Sequence, residues 1–459
     1  MTTTTSNPPL PAAAAPALWK GYLAFLVPMI ISNILQALSG TVNNIYLGQM
    51  LGVKAMAAVS AFFPVLFFLI AFMIGLGSGA SVLIGQAWGA KEPERVQAIT
   101  GTTLTVGIYF GLFVAVFGGT FTEFILRGLG TPADILPDAV AYARISMIAA
   151  PGIFVFLLIT SMMRGVGDTK TPLKTLIIST VVGLVITPAL IQGWLGLPRL
   201  GVSSGAWASV VSFLVAIAWT AWHMLRVNHA MAPNAEFRKH LRVDRAILAK
   251  VLRIGLPTGL SMITISVAEI AVLFLVNRFG SQATAAYGAV NQIVSYVQFP
   301  AFSIAIAASI LGAQSIGAGR THLLGQIART GIVLNLLLTG ALVLVCYAFS
   351  RSMLGWFITD VAVVDLAQTL LHVMLWSVVI MGMSMVLSGL MRASGAVLWP
   401  TTISMFAIAC VEVPAAWVLS QHYGLNGIWA AYPITFLLML GMQTAYYRLV
   451  WRKKPIRRL

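Results

Sequence analysis

The chain has 459 residues, of which 59% are apolar and 9% charged, with a mean hydropathy of +0.92 and a formal net charge of +16. Soluble domains carry roughly 25% charged residues, so this composition excludes an ordinary water-exposed surface and points to lipid as the solvent. Cys346 and Cys410 stand alone in apolar runs, which excludes a disulfide framework or a cysteine metal site.

Residues 1–17 are rich in Thr, Pro and Ala and read as a disordered tail. Apolar runs then start near residues 21, 55, 97, 138, 171 and 202, and again near 248, 284, 323, 366, 398 and 425. About 20 apolar residues cross a bilayer core, and only helices or closed barrels satisfy their backbone in lipid. The runs are continuous rather than alternating, which selects helices over barrel strands. The first run is too long for the core of a signal peptide and reads as a retained helix. Twelve helices put both termini on one side. Of the Lys and Arg residues, 22 fall in the tails and loops of that side and five on the other, with Arg144 inside the fourth helix. The positive-inside rule makes the richer side cytoplasmic. The expected location is a bacterial-type inner (plasma) membrane, with both termini cytoplasmic. A basic surface facing anionic lipid accounts for the high pI without a nucleic-acid partner.

The second half repeats the first. At an offset of 228, Gly52 matches Gly280, Ala57-Ala58 matches Ala285-Ala286, and Gln86…Gly89-Ala90 matches Gln314…Gly317-Ala318. Arg164…Gly167…Pro172 likewise matches Arg392…Gly395…Pro400. Near the ends the offset falls to 222, where Gly205-Ala-Trp207 matches Gly427-Ile-Trp429. Six residues fewer between the fifth and sixth helices of the second half would explain the change. The expected organisation is a bundle over 18–226, a cytoplasmic linker over 227–247, a second bundle over 248–450 and a basic tail over 451–459. Two six-helix repeats of the same topology are related by an axis along the membrane normal. They predict a central cavity and rocking of one half against the other.

The repeated motifs carry a resemblance. Pro28, Val42-Asn-Asn-Ile-Tyr-Leu-Gly48, Gly85-Gln-Ala-Trp-Gly-Ala90, Arg164-Gly-Val-Gly-Asp-Thr-Lys-Thr-Pro172 and Gly312-Ala-Gln-Ser-Ile-Gly-Ala-Gly319 occur in order. In these the chain resembles the multidrug and toxic compound extrusion (MATE) transporters over nearly all its length after residue 20. The resemblance implies an all-α, V-shaped bundle of twelve transmembrane helices in two parallel six-helix repeats. It also implies multidrug efflux, the export of organic, often cationic compounds driven by inward proton or sodium flow. Family members often carry an Asp in the first helix, five residues before its closing Gly; here that position is Asn43. Some carry an acid after the tenth helix, where this chain has Ala396. Asn does not exchange a proton at ordinary pH, so the coupling chemistry does not carry over unchanged.

An acid inside a membrane helix is costly and is a functional candidate by default. Two stand inside apolar runs, Glu269 in the seventh helix and Glu412 in the eleventh. Glu269 aligns with Thr41, two residues before Asn43, so it lies at nearly the depth of the family's first-helix acid but in the other half. A carboxyl that is desolvated when empty and compensated when a cation is bound alternates between two charge states, as an exchanger requires. Glu269, Glu412 and Asn43 are therefore the cation-coupling candidates. Glu269 has a structural alternative, a carboxyl hydrogen-bonded between helices. So has Glu412, which lies two residues before Pro414: local bonding, or pairing with Arg392 or Arg144. The first helix also bears Asn33, Gln36, Gly40 and Asn43, with Asn44 beside it, and the eighth bears Asn291, Ser295 and Gln298. Spacings of three and four keep most of each set on one face. With Ser266, these polar residues either line a substrate path and coordinate sodium through oxygen or bond helix to helix. Met374, Met381 and Met385 and the phenylalanines near Phe62 are packing or adaptable binding surface. Pro28 is a hinge candidate.

No HExxH, no acid pair within one membrane helix and no metal-spaced His/Cys set occurs, so a membrane enzyme is not expected. No GxxxxGK[ST] sequence supplies an ATP site. The expectation is an ion-coupled antiporter working as a monomer on small-molecule substrates in the lipid bilayer. It would need no cofactor, no nucleic acid and no resident metal beyond transient sodium. A flippase of lipid-linked precursors is the nearest alternative, followed by a channel.

Overall fold

The computed structural model describes residues 15–459, with side chains from Leu18 onward; most of the expected N-terminal tail lies outside the described residues. Among these, every regular element is helical. The first half comprises α1 (Ala15–Tyr46), α2 (Val53–Gly89), α3 (Pro93–Phe113), α4 (Leu136–Ile148), α5 (Ala150–Gly165), α6 (Lys170–Gln192) and α7 (Ser203–Arg226). The second comprises α8 (Arg245–Asn277), α9 (Ser281–Gly317), α10 (Leu324–Ala348), α11 (Val361–Ala393), α12 (Leu398–Phe406), α13 (Val413–Tyr423) and α14 (Leu425–Leu449). α4 and α5 form one span bent by 55°, and α12 runs through a π-helical turn, Ala407–Glu412, into α13. That makes twelve spans long and apolar enough to cross a bilayer. Their outward faces are apolar, as lipid contact requires: Leu336, Leu337 and Leu344 of α10 are all exposed.

The repeat reaches the backbone. α2 and α9 start and end 228 residues apart, as do the ends of α5 and α11 and the starts of α6 and α12. The drop to 222 has a local cause. α13 runs three residues further than the repeat of α6 would, and the ten-residue connection 193–202 shrinks to Gly424 alone. Gly52 (φ 88°, ψ −177°) and Gly280 (φ 101°, ψ 173°) occupy the same region, which is essentially closed to side-chain-bearing residues. The repeated glycine is therefore dictated by the turn that opens the second helix of each half.

The described chain divides into two compact units. One contains Ile31–Trp88 and Glu92–Gly255; the other contains α1 as far as Ile30, Gly89–Lys91 and Leu256–Leu459. In the second unit, the buried Tyr22 donates its hydroxyl to the Ile327 carbonyl at 2.8 Å. In the first, the start of α8 packs on α2 through Gly75, Gly79 and Gly255, where a Cβ on Gly255 would sit 2.6 Å from the Gly75 oxygen. The same helix crossing recurs in both units with the small residues exchanged. Gly77 meets Ser161 in the first, and at the repeat-equivalent positions Ala305 meets Gly389 in the second. Small residues let helix backbones approach closely where lipid offers no hydrophobic driving force.

In each unit, the segment after the last helix closes on the loop after the fourth span. Asp168 Oδ1 accepts the N–H groups of Lys170 (3.1 Å) and Thr171 (2.9 Å), capping α6, and Oδ2 lies 3.5 Å from His229 Nε2. His229 Nδ1 accepts from the Met231 N–H at 3.2 Å, which places the ring hydrogen on Nε2, facing Asp168. At the offset of 222, His229 becomes Trp451, which donates Nε1–H to Ser394 Oγ at 2.9 Å. Burial works against ionisation of Asp168, but the hydrogen bonds from His229 and Thr171 outweigh it and hold the carboxyl below its ordinary value. A depressed carboxyl stabilises the fold above its unfolded-state value and loses that contribution as pH falls through the folded-state value. Backbone hydrogen exchange over residues 229–232 should therefore stay slow at neutral pH and accelerate below about pH 4. Asp168→Ala should make it fast at both, at a cost of about 1–3 kcal/mol for the lost charge-assisted bonds. Unchanged exchange in that variant would remove Asp168 from the closure.

Candidate functional site

The two acids that stand inside membrane spans both belong to the second unit. Glu412 closes the π-helical turn and is 4% exposed, and Pro414, two residues on, cannot donate a backbone N–H to the preceding turn. Such turns insert an extra residue into a helix and are frequent at functional sites. The turn packs against α14, which carries the buried Tyr432. The Tyr432 and Tyr287 hydroxyls lie 2.8 Å apart, and the Tyr287 ring stacks on Trp429 at 5.9 Å and 7°. Asn291 lies one turn further along α9 and is half-buried. Glu269, on α8, is exposed. Neither acid is ion-paired among the described residues. Arg144, one partner considered for Glu412, instead donates to the Gly119 carbonyl at 3.1 Å.

The first unit carries the neutral version of this arrangement. Asn43 Oδ1 accepts from Thr187 Oγ1 at 3.4 Å, joining α1 to α6. These are the repeat counterparts of the helices that bear Glu269 and Glu412. The positions equivalent to Glu269, Glu412, Tyr287, Asn291 and Tyr432 are Thr41, Leu184, Val59, Phe63 and Val210. Four of the five are apolar, and no acid is among them. Two carboxyls, two phenols and an amide have thus been placed where the first half manages with ordinary packing. Asn43→Ala should leave protein level unchanged and alter export by less than either glutamate substitution; collapse of the protein level would make Asn43 purely structural.

Of the expected polar residues, Glu269, Glu412 and Asn291 all lie in the second unit, and Asn43, in the first, accepts from Thr187. Gln36 and Asn44 are exposed on α1, and Asn33 is half-buried. Ser266 is half-buried one turn before Glu269, as is Gln298 on α9. Ser295 turns its hydroxyl back to the Asn291 carbonyl at 2.7 Å, spending it within its own helix. Pro28 is buried within α1, two residues before the helix passes from one unit to the other. Met374 and Met381 belong to the apolar core of the second unit, so they pack rather than present a surface. Tyr287, Tyr432 and Thr187 were not expected from the sequence. The signal was available: each tyrosine faces a valine at the repeat offset.

The MatE family profile matches residues 28–189 and again 257–418, displaced by 229 residues at both ends. The chain is 45% identical to the probable multidrug resistance protein YoeA of Bacillus subtilis, covering 97% of this chain and 96% of that one. It is 23% identical to the multidrug export protein MepA of Staphylococcus haemolyticus, over 90% and 89% of the two chains. A crystallised Vibrio cholerae MATE transporter, VcmN, shares the fold with a TM-score of 0.89 at 20% identity, covering 96% of this chain and 99% of its own. A twice-occurring profile on a twice-occurring backbone, with a relative close along its whole length, settles the descent of the chain: it belongs to the MatE family of transporters.

Proposed function

We propose that this protein is an ion-coupled antiporter that exports small organic, cationic or amphipathic compounds by alternating access, with Glu269 and Glu412 holding the coupling proton or sodium ion. Its family is one of transporters rather than enzymes, and the names of its relatives support multidrug efflux as the substrate class. The observation that carries the coupling assignment is the acid pair confined to the second half, at the depth where the first half has Asn43 and Thr187. Acids persist in a membrane interior where they bind something, and a bound cation favours the ionised form that desolvation opposes. The protein works as a monomer in the bacterial inner membrane, and the charge bias of its loops supports cytoplasmic termini. Pro28 serves as a hinge in α1, and the polar residues of α1 and α9 line the substrate path. The test is drug efflux from loaded vesicles with pH and sodium gradients imposed separately. Uphill export under one of them supports the reading; export indifferent to both contradicts it.

A further inference from the structure

We propose that the linker between α7 and α8 is a lipid-binding strap: it is pinned to α3 at headgroup depth, where Arg238, Lys239, Arg242 and Arg245 take the phosphates of anionic phospholipids of the cytoplasmic leaflet. Such a surface serves whichever ion and substrate the protein carries.

The linker stays on the first unit. Met231, Ala232 and Phe237 are buried. Asn234 Oδ1 accepts the Phe237 N–H at 2.8 Å and caps a six-residue helix, Ala235–His240. Beyond that helix the chain crosses α3. The Thr102 hydroxyl donates to the Arg242 carbonyl at 3.2 Å and accepts the Asp244 N–H at 3.3 Å. A Cβ on Gly101 would run into the His240 carbonyl, so the two backbones touch.

The crossing point fixes the depth. From Val96 to Thr122 the chain has 27 residues without a charge, bounded by Arg95 and Glu123. The hydrocarbon core takes about 20 of them. Wherever it lies within that stretch, it begins no later than Thr103. At about 1.5 Å of rise per residue, the linker therefore meets α3 within about 3 Å of the core boundary or inside it. The headgroup layer is about 5–7 Å deep on each side, so the strap lies among the headgroups rather than in free water.

The side chains it presents there suit an anionic lipid. Arg238, Lys239, Arg242 and Arg245 are all exposed, and none of them pairs with a carboxylate among the described residues. Two acids stand beside them. Asp244 is spent on backbone, with Oδ1 accepting the N–H groups of Ala246 (2.9 Å) and Ile247 (3.2 Å) at the start of α8. Glu236 lies in the first turn of the short helix and leaves the surface basic on balance. Arg forks match phosphate oxygens bidentately. Leu241 and Val243, between the arginines, are 44% and 38% exposed. Apolar side chains interleaved with basic ones mark a segment that lies in a membrane surface. A soluble partner would have to displace headgroups to reach them.

Amide exchange over residues 238–245 tests this on the full-length protein, in nanodiscs of phosphatidylcholine alone or mixed with phosphatidylglycerol. Each basic residue at an anionic surface contributes about fivefold in affinity. Phosphatidylglycerol should therefore slow exchange at least about tenfold, and molar salt, with a screening length of about 3 Å, should reverse the effect. Arg238→Gln/Lys239→Gln/Arg242→Gln should abolish the slowing. Thr102→Val keeps every charge but removes both bonds to α3, and should abolish most of it. Lys453→Gln/Lys454→Gln/Arg457→Gln removes the same charge from the C-terminal tail and should leave it intact. Equal exchange in the two lipid mixtures overturns the proposal, as does full slowing in the triple linker variant or in Thr102→Val. Slowing of the same size when inorganic phosphate is added to phosphatidylcholine discs marks a site for free anions and overturns the lipid assignment.

Discussion

Glu412→Gln and Glu269→Gln should each reduce uphill export at least about tenfold and flatten its dependence on the driving ion, with the protein still folded in the membrane. Gln matches Glu in shape, so packing of the π-helical turn against α14 survives. What disappears is the ability to change charge. A hydrogen bond or ion contact to a charged group contributes about 1.5–3 kcal/mol, which is roughly 10–150-fold in a binding constant. Glu412 should be the more severe of the two for coupling, because it is buried and Glu269 is exposed; a charge with less solvent around it has fewer substitutes. A structural carboxyl behaves differently. Glu412→Gln would then export normally or fail to accumulate, and thermal stability measured beside efflux separates these outcomes.

Gly389→Leu should abolish accumulation of folded protein. A Cβ at Gly389 runs into the backbone carbonyl of Ala305, where α11 crosses α9. Because the obstacle is backbone, no rotamer change or trimming of Ala305 relieves it, and the helices must separate. Overpacking a tight core costs about 1–3 kcal/mol and more where the backbone is the obstacle, against a total stability of only about 5–15 kcal/mol for a typical domain. Gly340 on α10 and Gly441 on α14 have no atom within 4 Å of such a Cβ. Alanine at either should be tolerated within about 1 kcal/mol. Thermal unfolding of the detergent-solubilised variants, followed by size-exclusion fluorescence, checks the contrast. A stable Gly389→Leu protein would mean that the crossing is looser than the backbone indicates.

Twelve spans and their two-fold repetition were legible in the sequence because lipid imposes a length on every apolar run, and the repeated glycines stand where the backbone permits little else, as at Gly52 and Gly280. The bend between α4 and α5 was not, since it interrupts no apolar run. Glu269 and Glu412 were visible one at a time as misplaced charges. That Glu412 closes a π-helical turn was not visible, because the apolar run continues unbroken through Ala407–Glu412. The tyrosines were hidden for a different reason: a Tyr in an apolar helix is unremarkable until its hydroxyl is seen to have a partner on another helix. Met374 and Met381 looked as suited to binding as to packing, and only burial in the core distinguishes the two.

The most direct test is to measure substrate and counter-ion together in sealed vesicles, for the wild-type protein and for Glu269→Gln/Glu412→Gln. The wild type should export drug against its gradient while protons or sodium enter. The double variant should at most equilibrate the drug, with no accompanying ion flow. Uphill export by the double variant, with counter-ion entry intact, would contradict the placement of coupling in the second half.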